Sequence, residues 1–258
     1  MNAYYLPRGM RPSTLEERRE FYMNEFNLKG VYDWFRYWRG KVVFAVIIGR
    51  HTGIYPPEYE EDASTTILIE NYRDLEDVRR WMLEFLPESA YYDRNIYGVD
   101  GKILGQEIAF DIDPENLKCP IHGTLEDKMH RGQGLSFCEI ELNMAKDETL
   151  RLHDALSEIF SSLRVVYSGR GFHIHVLDED AFRWSYDERK KLAGEMRGKG
   201  FIFDEWVTTG GVRLIRLPYS LHGMVSRIVT PLNISELEGF NPIEDERCIP
   251  AFLKACIR

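Results

Sequence analysis

The chain has 258 residues, a hydrophobic content of 44% and a net charge of -9 at pH 7, which predicts a globular protein with a sizeable core. It has no apolar run of about eighteen residues and no signal-peptide pattern at its start, so we expect a cytoplasmic protein without a membrane span. The negative charge argues against nucleic-acid binding, but residues 164–227 carry eleven Lys and Arg against eight Asp and Glu, which leaves room for a basic cleft.

Hydrophobic periodicity predicts helices and strands along the whole chain. Thr14 and Glu17 have capping-box spacing, which marks the start of the first helix. In chain order, the pattern predicts a helix over TLEERREFYMNEF, strands over KVVFAVIIG and TTILIEN, a helix over DLEDVRRWMLEFL, a strand over QEIAFDID, a helix over AKDETLRLHDALSEIFSSL, strands over RVVYSG and FHIHVL, a helix over SYDERKKLAGEMRGKG, and strands over FIFDEWVT, VRLIRLP and RIVTPL.

The strand over QEIAFDID ends in two aspartates. Asp111 and Asp113 are two residues apart, so in a strand both carboxylates point to one face while Ile112 points into the core. Carboxylates this close raise each other's pKa unless a cation lies between them, and a divalent metal is the usual cation. A solvated strand end, with one aspartate capping the next turn, is the alternative.

The segment VVYSGRGFHIHV places polar residues in a turn between two predicted strands. Glycines such as Gly169 let backbone N–H groups converge on an anion, and Ser168, Arg170 and His173 add side-chain donors, so the turn is typical of a phosphate site. A hairpin with a structural histidine is the alternative.

A third polar group follows in FDEWVTTGGVRLIRLPYSLHG, which contains Asp204, Arg216 and His222. Taken alone, this segment is compatible with two strands that carry surface arginines. After two aspartates and a Gly-Ser-Arg-His turn, however, another aspartate with an Arg and His pair indicates metal-assisted transfer of a nucleotide.

These motifs, in this order, resemble the small catalytic subunit of archaeal and eukaryotic DNA primases, within the archaeo-eukaryotic primase-polymerase superfamily. The resemblance implies one catalytic domain over residues 1–258, with an α/β fold in which a mixed sheet is flanked by helices. It covers most of the chain and is carried by ERREFYMNEF, PESAYYDRNIY, EIAFDID, VVYSGRGFHIHV, and VTTGGVRLIRLPYSLHG followed by VTPL.

The resemblance also implies an activity, which is template-directed synthesis of primers by two-metal-ion catalysis. Asp111, Asp113 and Asp204 would hold Mg²⁺ or Mn²⁺ ions. The partners would be a single-stranded DNA template, a primer, nucleoside triphosphates and a large primase subunit. The implied nucleotide-binding residues are Ser168, Gly169, Arg170, His173, Arg216 and His222.

The phosphate turn and the segment before Asp204 both depart from the family pattern. Only Arg170 separates the two glycines of the phosphate turn, where the family usually has two residues. Only about thirty residues lie between His173 and Asp204, so we expect the helical subdomain that many relatives carry there to be absent.

A cysteine-bearing loop follows the acidic strand. Four cysteines are too few for a disulfide scaffold in a chain of this length and favour reduced thiols or metal ligands. The family carries a zinc knuckle at this place, so residues 114–138 are expected to bind structural zinc. A buried Cys138 with surface histidines is the alternative. The implied ligands are Cys119, His122, His130 and Cys138, and the remaining cysteines are Cys248 and Cys256.

Two other functions stay open at the level of sequence. Gap-filling or end-joining repair polymerases of the same superfamily also lack the helical subdomain. A catalytically silent relative would only bind nucleic acid or a primase partner, and the complete set of three aspartates argues against it.

Overall fold

The computed structural model describes residues 4–254 except positions 37, 39 and 99, so Cys256 lies outside the described residues. The helices are α1 (Leu15–Asn24), α2 (Leu28–Phe35), α3 (Leu75–Phe85), α4 (Leu125–His130), α5 (Glu139–Ser157), α6 (Tyr186–Gly198), α7 (Glu205–Thr209), α8 (Ile234–Leu237) and α9 (Ala251–Lys254). The strands are β1 (Phe44–Ile47), β2 (Ile67–Ile69), β3 (Ser89–Asp93), β4 (Asn95–Tyr97), β5 (Ile103–Gln106), β6 (Ile108–Ile112), β7 (Leu163–Tyr167), β8 (Phe172–Val176), β9 (Leu214–Arg216), β10 (Leu221–His222), β11 (Arg227–Ile228) and β12 (Thr230–Leu232).

The described residues divide into two compact units. The first takes its residues from 1–9, 105–213 and 231–240, and the second from 10–104, 214–230 and 241–258. The single catalytic domain over 1–258 stays a prediction.

The first unit is built on a sheet with the strand order β12-β7-β8-β6. β8 pairs antiparallel with both β6 and β7, and this register sets Asp111 opposite His173. The apolar side chains of β6 and β8 are fully buried, and α5 and α7 pack against these strands. The central strand therefore brings the acidic strand end and the phosphate turn to one end of the sheet.

The second unit is built on a sheet with the strand order β2-β1-β3-β9, and β10 pairs with β11. Its interior contains a fully buried arginine, Arg18 of α1. The guanidinium donates to the carbonyl oxygens of Ile48 (3.0 Å) and Leu86 (3.1 Å) and to the hydroxyl of Ser13 (3.1 Å). These bonds satisfy a buried charge and connect α1 to the ends of the segments around β1 and α3.

The predicted α/β fold class is confirmed, because the sheets are flanked by helices at the predicted places. The predicted capping box is present, with the backbone N–H of Glu17 donating to the hydroxyl of Thr14 (3.2 Å) and that of Thr14 to the Glu17 carboxylate (2.8 Å). Residues 173–204 are all described and contain α6 and a short 3-10 turn in place of a helical subdomain. No helix among the described residues combines the length and apolar character needed to cross a membrane.

The strand predicted over FIFDEWVT is wrong. Residues 201–204 form no strand, and α7 begins at Glu205. The physical reason is Asp204, whose carboxylate accepts a hydrogen bond from the backbone N–H of Trp206 (2.8 Å) and caps the helix. Asp204 therefore lies at a helix start, where its side chain has a fixed direction.

Candidate active site and metal centre

The end of β6 carries two of the predicted catalytic aspartates. Asp111 is the last but one residue of the strand, and Asp113 follows it at the start of a 3-10 turn. An oxygen of Asp111 lies 3.3 Å from Nε2 of His173 on the neighbouring strand. The Asp111 side chain is about one-fifth exposed, at 21%, so its carboxylate has access to a ligand.

The third aspartate is tied to the first through the backbone. The N–H of Asp204 donates to the carbonyl oxygen of Asp111 at 2.8 Å. Burial raises the pKa of Asp204, and the negative charge of Asp111 raises it further. Carboxylate oxygens are the ligands that a divalent cation such as Mg²⁺ or Mn²⁺ prefers, and a bound cation would offset this repulsion. By the chemistry of their oxygen donors Asp111, Asp113 and Asp204 suit such an ion, and their binding of it stays a prediction.

The turn between β7 and β8 is built to lie against this acidic strand end. Gly169 has a φ of 105°, in the region that favours glycine. The backbone N–H of Gly171 donates to the hydroxyl of Ser168 (3.1 Å), whose own hydrogen stays available to donate. A Cβ at Gly171 would contact the carbonyl oxygen of Ile112 and approach Oδ1 of Asp113 to 2.6 Å, so only glycine lets the turn come this close.

Arg170, the residue between the two glycines, is buried and held on two sides. Its Nη2 donates to Oε2 of Glu115 at 2.6 Å, and its guanidinium carbon lies 5.4 Å from the centre of the Phe137 ring. Burial alone would lower the pKa of Arg170, but the carboxylates of Glu115, Asp113 and Asp111 raise it. The charge is therefore permanent, and it lies among the acidic groups of the site.

Two histidines of β8 share the face of the sheet that carries Asp111. His173 and His175 form an edge-to-face pair with ring centres 5.7 Å apart. His175 is fully buried with Nδ1 3.1 Å from Oε1 of the equally buried Glu107. This pair holds the second histidine in the core, whereas His173 turns Nε2 toward Asp111. His173 is the histidine of this strand that is predicted to bind a nucleotide, and that role stays a prediction.

Two predicted nucleotide-binding residues of the first unit contain a buried nitrogen that makes no hydrogen bond with the described part of the chain. They are Arg170 at Nε and His173 at Nδ1. An unsatisfied buried donor costs about 1–3 kcal/mol. A bound anion or water would recover that cost, so these atoms fit a phosphate ligand.

Arg216 and His222 belong to the second unit. Arg216 ends β9 opposite Tyr91, and its guanidinium carbon lies 4.7 Å from the centre of the Tyr91 ring, in a cation–π contact. His222 is buried in β10, opposite Arg227. Their assignment to a nucleotide rests on the family resemblance and stays a prediction.

The loop after β6 brings together three of the four predicted zinc ligands. Sγ of Cys119 lies 3.4 Å from Nδ1 of His122 and 3.9 Å from Sγ of Cys138. Around a tetrahedral zinc with bonds of about 2.3 Å to sulfur and about 2.0 Å to nitrogen, neighbouring ligand atoms are about 3.5–3.8 Å apart. The three side chains therefore fit zinc, and neither of the two cysteines forms a disulfide.

The fourth predicted ligand, His130, is not part of this group. Its side chain is 77% exposed at the end of α4 and lies 3.8 Å from Glu126. Glu141, on the first turn of α5, lies in its place, with an oxygen within 4.8 Å of the ligand atoms of Cys119, His122 and Cys138. The structure therefore corrects the predicted ligand set at one position.

Glu141 has two further contacts that the sequence did not indicate. Its Oε1 accepts a hydrogen bond from Nζ of Lys128 at 2.6 Å, and both side chains are fully buried. Its Oε2 accepts one from the backbone N–H of Cys138 at 2.9 Å. The spacing Cys138-x-x-Glu141 equals that of Cys119-x-x-His122 and is the signal that could have identified it.

The N-terminal segment contacts the candidate zinc ligands. The Tyr5 ring stacks on His122 with centres 4.3 Å apart, and its backbone N–H donates to the hydroxyl of Ser136 (3.1 Å). Burial, followed by the charges of Glu141 and the two cysteines, raises the pKa of Tyr5 to about 12. Tyr5 carries no motif in the sequence, and only the fold brings it to this place.

Comparison with known proteins agrees with this geometry. No family model matches the sequence. Among solved structures, the polymerase domain from Mycobacterium tuberculosis Ligase D in complex with DNA has a TM-score of 0.55 and 14% identity, and the match covers 100% of this chain and 96% of that one. This likeness concerns the fold, which is that of a primase-polymerase domain.

Curated relatives give the family. An uncharacterized DNA primase small subunit-like protein of Archaeoglobus fulgidus is 51% identical over 268 residues, which span 97% of this chain and 94% of the relative. The DNA primase small subunit PriS of Pyrobaculum calidifontis is 27% identical over 237 residues, which span 72% of this chain and 73% of the relative. The chain therefore belongs to the DNA primase small subunit-like proteins of the archaeo-eukaryotic primase-polymerase superfamily.

Proposed function

We propose that the chain is a template-directed nucleotidyltransferase that synthesises primers on single-stranded DNA. The observation that carries this proposal is the arrangement at one end of the first sheet. There the backbone of Asp204 is bonded to that of Asp111, and a glycine turn with a buried arginine packs against Asp113. A cation-binding group of carboxylates beside a basic turn is what transfer of a nucleotide requires.

Each residue of this site has a proposed task. Asp111, Asp113 and Asp204 would hold two Mg²⁺ or Mn²⁺ ions, which when bound neutralise phosphate charge and lower the pKa of the priming hydroxyl. Ser168 would donate its hydroxyl hydrogen to a phosphate oxygen. Arg170 and His173 would orient the triphosphate through nitrogens that make no hydrogen bond with the described part of the chain.

Arg216 and His222 would add further contacts to the nucleotide, as the family resemblance implies. Zinc at Cys119, His122 and Cys138 would have a structural task, because it would fix the loop that carries Glu115 and Phe137, the two neighbours of Arg170. A large primase subunit is proposed as a partner by the same resemblance.

The test is nucleotide incorporation by the purified chain on a single-stranded template with Mn²⁺ and labelled nucleotides, with and without a primer. Incorporation without a primer supports primer synthesis. Extension that strictly requires a primer would favour the gap-filling alternative, and no incorporation at all would contradict the proposal. Asp204→Asn is the matching inactive variant, and Asp187→Asn, at an exposed aspartate of α6, is its control.

A further inference from the structure

We infer that Trp206, with two cations at the end of α6, forms a stacking site for a single-stranded nucleic-acid segment next to the candidate catalytic carboxylates. This inference rests on the proposed function and extends it to a residue that no motif assigns. Trp206 lies on the first turn of α7, two residues after Asp204, and its backbone N–H is the donor that Asp204 caps. The indole is therefore fixed relative to the carboxylate.

Trp206 is far more exposed than a tryptophan in a folded chain needs to be. It is 71% exposed, the highest value among the large apolar side chains that are described. Burial of such a ring favours folding, and this position does not use that stabilisation. An exposed planar ring of this kind is what proteins use to stack nucleobases without sequence preference.

One side of the indole is already supported by the chain. A Cβ at Gly211 would lie 3.0 Å from Cε3 and 3.6 Å from Cζ3 of Trp206, so the ring rests on the Gly211 backbone. The backbone N–H of Val212 donates to the carbonyl oxygen of Trp206 at 3.1 Å and holds the two segments together. A ring that is supported in this way loses little conformational freedom when a base stacks on its open side.

The cations at the end of α6 suit a phosphate backbone. Arg197 and Lys199, at the end of α6, are exposed, and Nε of Arg197 lies 3.8 Å from Oε2 of Glu205, the residue before Trp206. Single-strand binding sites combine such cations with an aromatic ring. The combination of ring and cations therefore favours a nucleic acid as the ligand.

The test compares the binding of two labelled strands of equal length, an oligodeoxynucleotide and an abasic phosphodeoxyribose oligomer, by fluorescence anisotropy. Trp206→Ala should bind the oligodeoxynucleotide about 5- to 100-fold more weakly and the abasic strand as well as the wild type does. Trp206→Phe should retain most of the affinity. Arg197→Gln and Lys199→Gln should each weaken the binding of both strands. Each should also lower the slope of log affinity against log salt concentration by about one unit.

Tyr186→Ala is the matched control, because Tyr186 is also exposed (56%) and lies at the opposite end of α6, about 16 Å from Arg197. The inference would be overturned if Trp206→Ala bound the oligodeoxynucleotide as well as the wild type does, or if it lost the same affinity for both strands. The exposed ring would then serve a different partner. A wild type that binds the strand in this base-dependent way but adds no nucleotide would overturn the proposed function alone. A wild type that extends primers while Trp206→Ala binds normally would overturn only the stacking site.

Discussion

The ion pair between Arg170 and Glu115 leads to a prediction about nucleotide affinity. Replacing one partner should lower the affinity, and replacing the other should raise it. The guanidinium donates to Glu115 over 2.6 Å, and the Arg170 and Glu115 side chains are only 10% and 30% exposed. A triphosphate that uses Arg170 has to share the guanidinium with this carboxylate, which also repels it. Arg170→Ala should therefore weaken nucleotide affinity, whereas Glu115→Gln should strengthen it.

The magnitudes follow from the type of contact. Loss of a charge-assisted hydrogen bond costs about 1.5–3 kcal/mol, so Arg170→Ala should weaken binding about 10- to 100-fold. Glu115→Gln removes a charge but keeps the shape, and we expect a gain of up to about tenfold. Both variants should lower the melting temperature, because each removes half of a buried ion pair. Stability alone therefore does not distinguish a ligand-binding arginine from a structural one.

The assay is titration of nucleoside triphosphate in the presence of Mn²⁺, with thermal unfolding of the same samples. Arg151→Ala is a close control, because Arg151 pairs with Glu148 at 2.6 Å and lies 5.3 Å from the centre of the Phe201 ring. Its affinity for nucleotide should not change. If Arg170→Ala and Glu115→Gln move the affinity in the same direction, or if neither moves it while both lower the melting temperature, Arg170 is a structural residue.

Three further predictions concern the carboxylates and the metal loop. Asp204→Asn should abolish incorporation, yet in EDTA at neutral pH it should melt no lower than the wild type. The pKa of Asp204 is raised, so its ionised form costs stability that is recovered as the pH falls below that pKa; a lower melting temperature would contradict this. Cys119→Ser and Cys138→Ser should each lower the zinc content measured by elemental analysis, and a wild type purified without zinc would refute the site. In zinc-free protein, Lys128→Met should leave Glu141 buried without its paired cation, at a cost of about 3–5 kcal/mol, and lower the melting temperature by about 6–20 °C, with partial recovery in Lys128→Met/Glu141→Leu. A shift below about 2 °C would show that the pair contributes little.

The sequence predicts most elements of the fold because their signals are local. The capping box at Thr14 and Glu17 and the acidic strand over QEIAFDID depend on residues within a few positions of each other. The strand prediction over FIFDEWVT was wrong for the same reason, because it used only local signals. Its apolar and aromatic residues favour a strand locally, and only the bond from the Asp204 backbone to Asp111, far away in sequence, fixes the chain so that Asp204 caps a helix.

The candidate zinc ligands show more clearly what local sequence signals cannot predict. A histidine is a better zinc ligand than a glutamate on chemical grounds, so His130 was the natural fourth ligand in the sequence. Glu141 lies near the thiols because α5 starts at Glu139, and it is stable there because Lys128 is buried beside it. A buried charge can be predicted from a sequence only when the residue that pairs with it is recognised as well. The partner of Glu141 is thirteen positions away, on another helix.

The metal loop and the phosphate turn are connected through Arg170. Glu115, near the start of the loop, accepts a hydrogen bond from the guanidinium, and Phe137, next to Cys138 at its end, supplies the ring beneath it. A zinc ion bound to Cys119 and Cys138 would restrain both ends of that loop. The same ion would thereby restrain the direction in which Arg170 presents its charge, although no zinc ligand contacts the nucleotide. Zinc would organise this loop, and one ion pair and one aromatic contact would transmit that organisation to the turn.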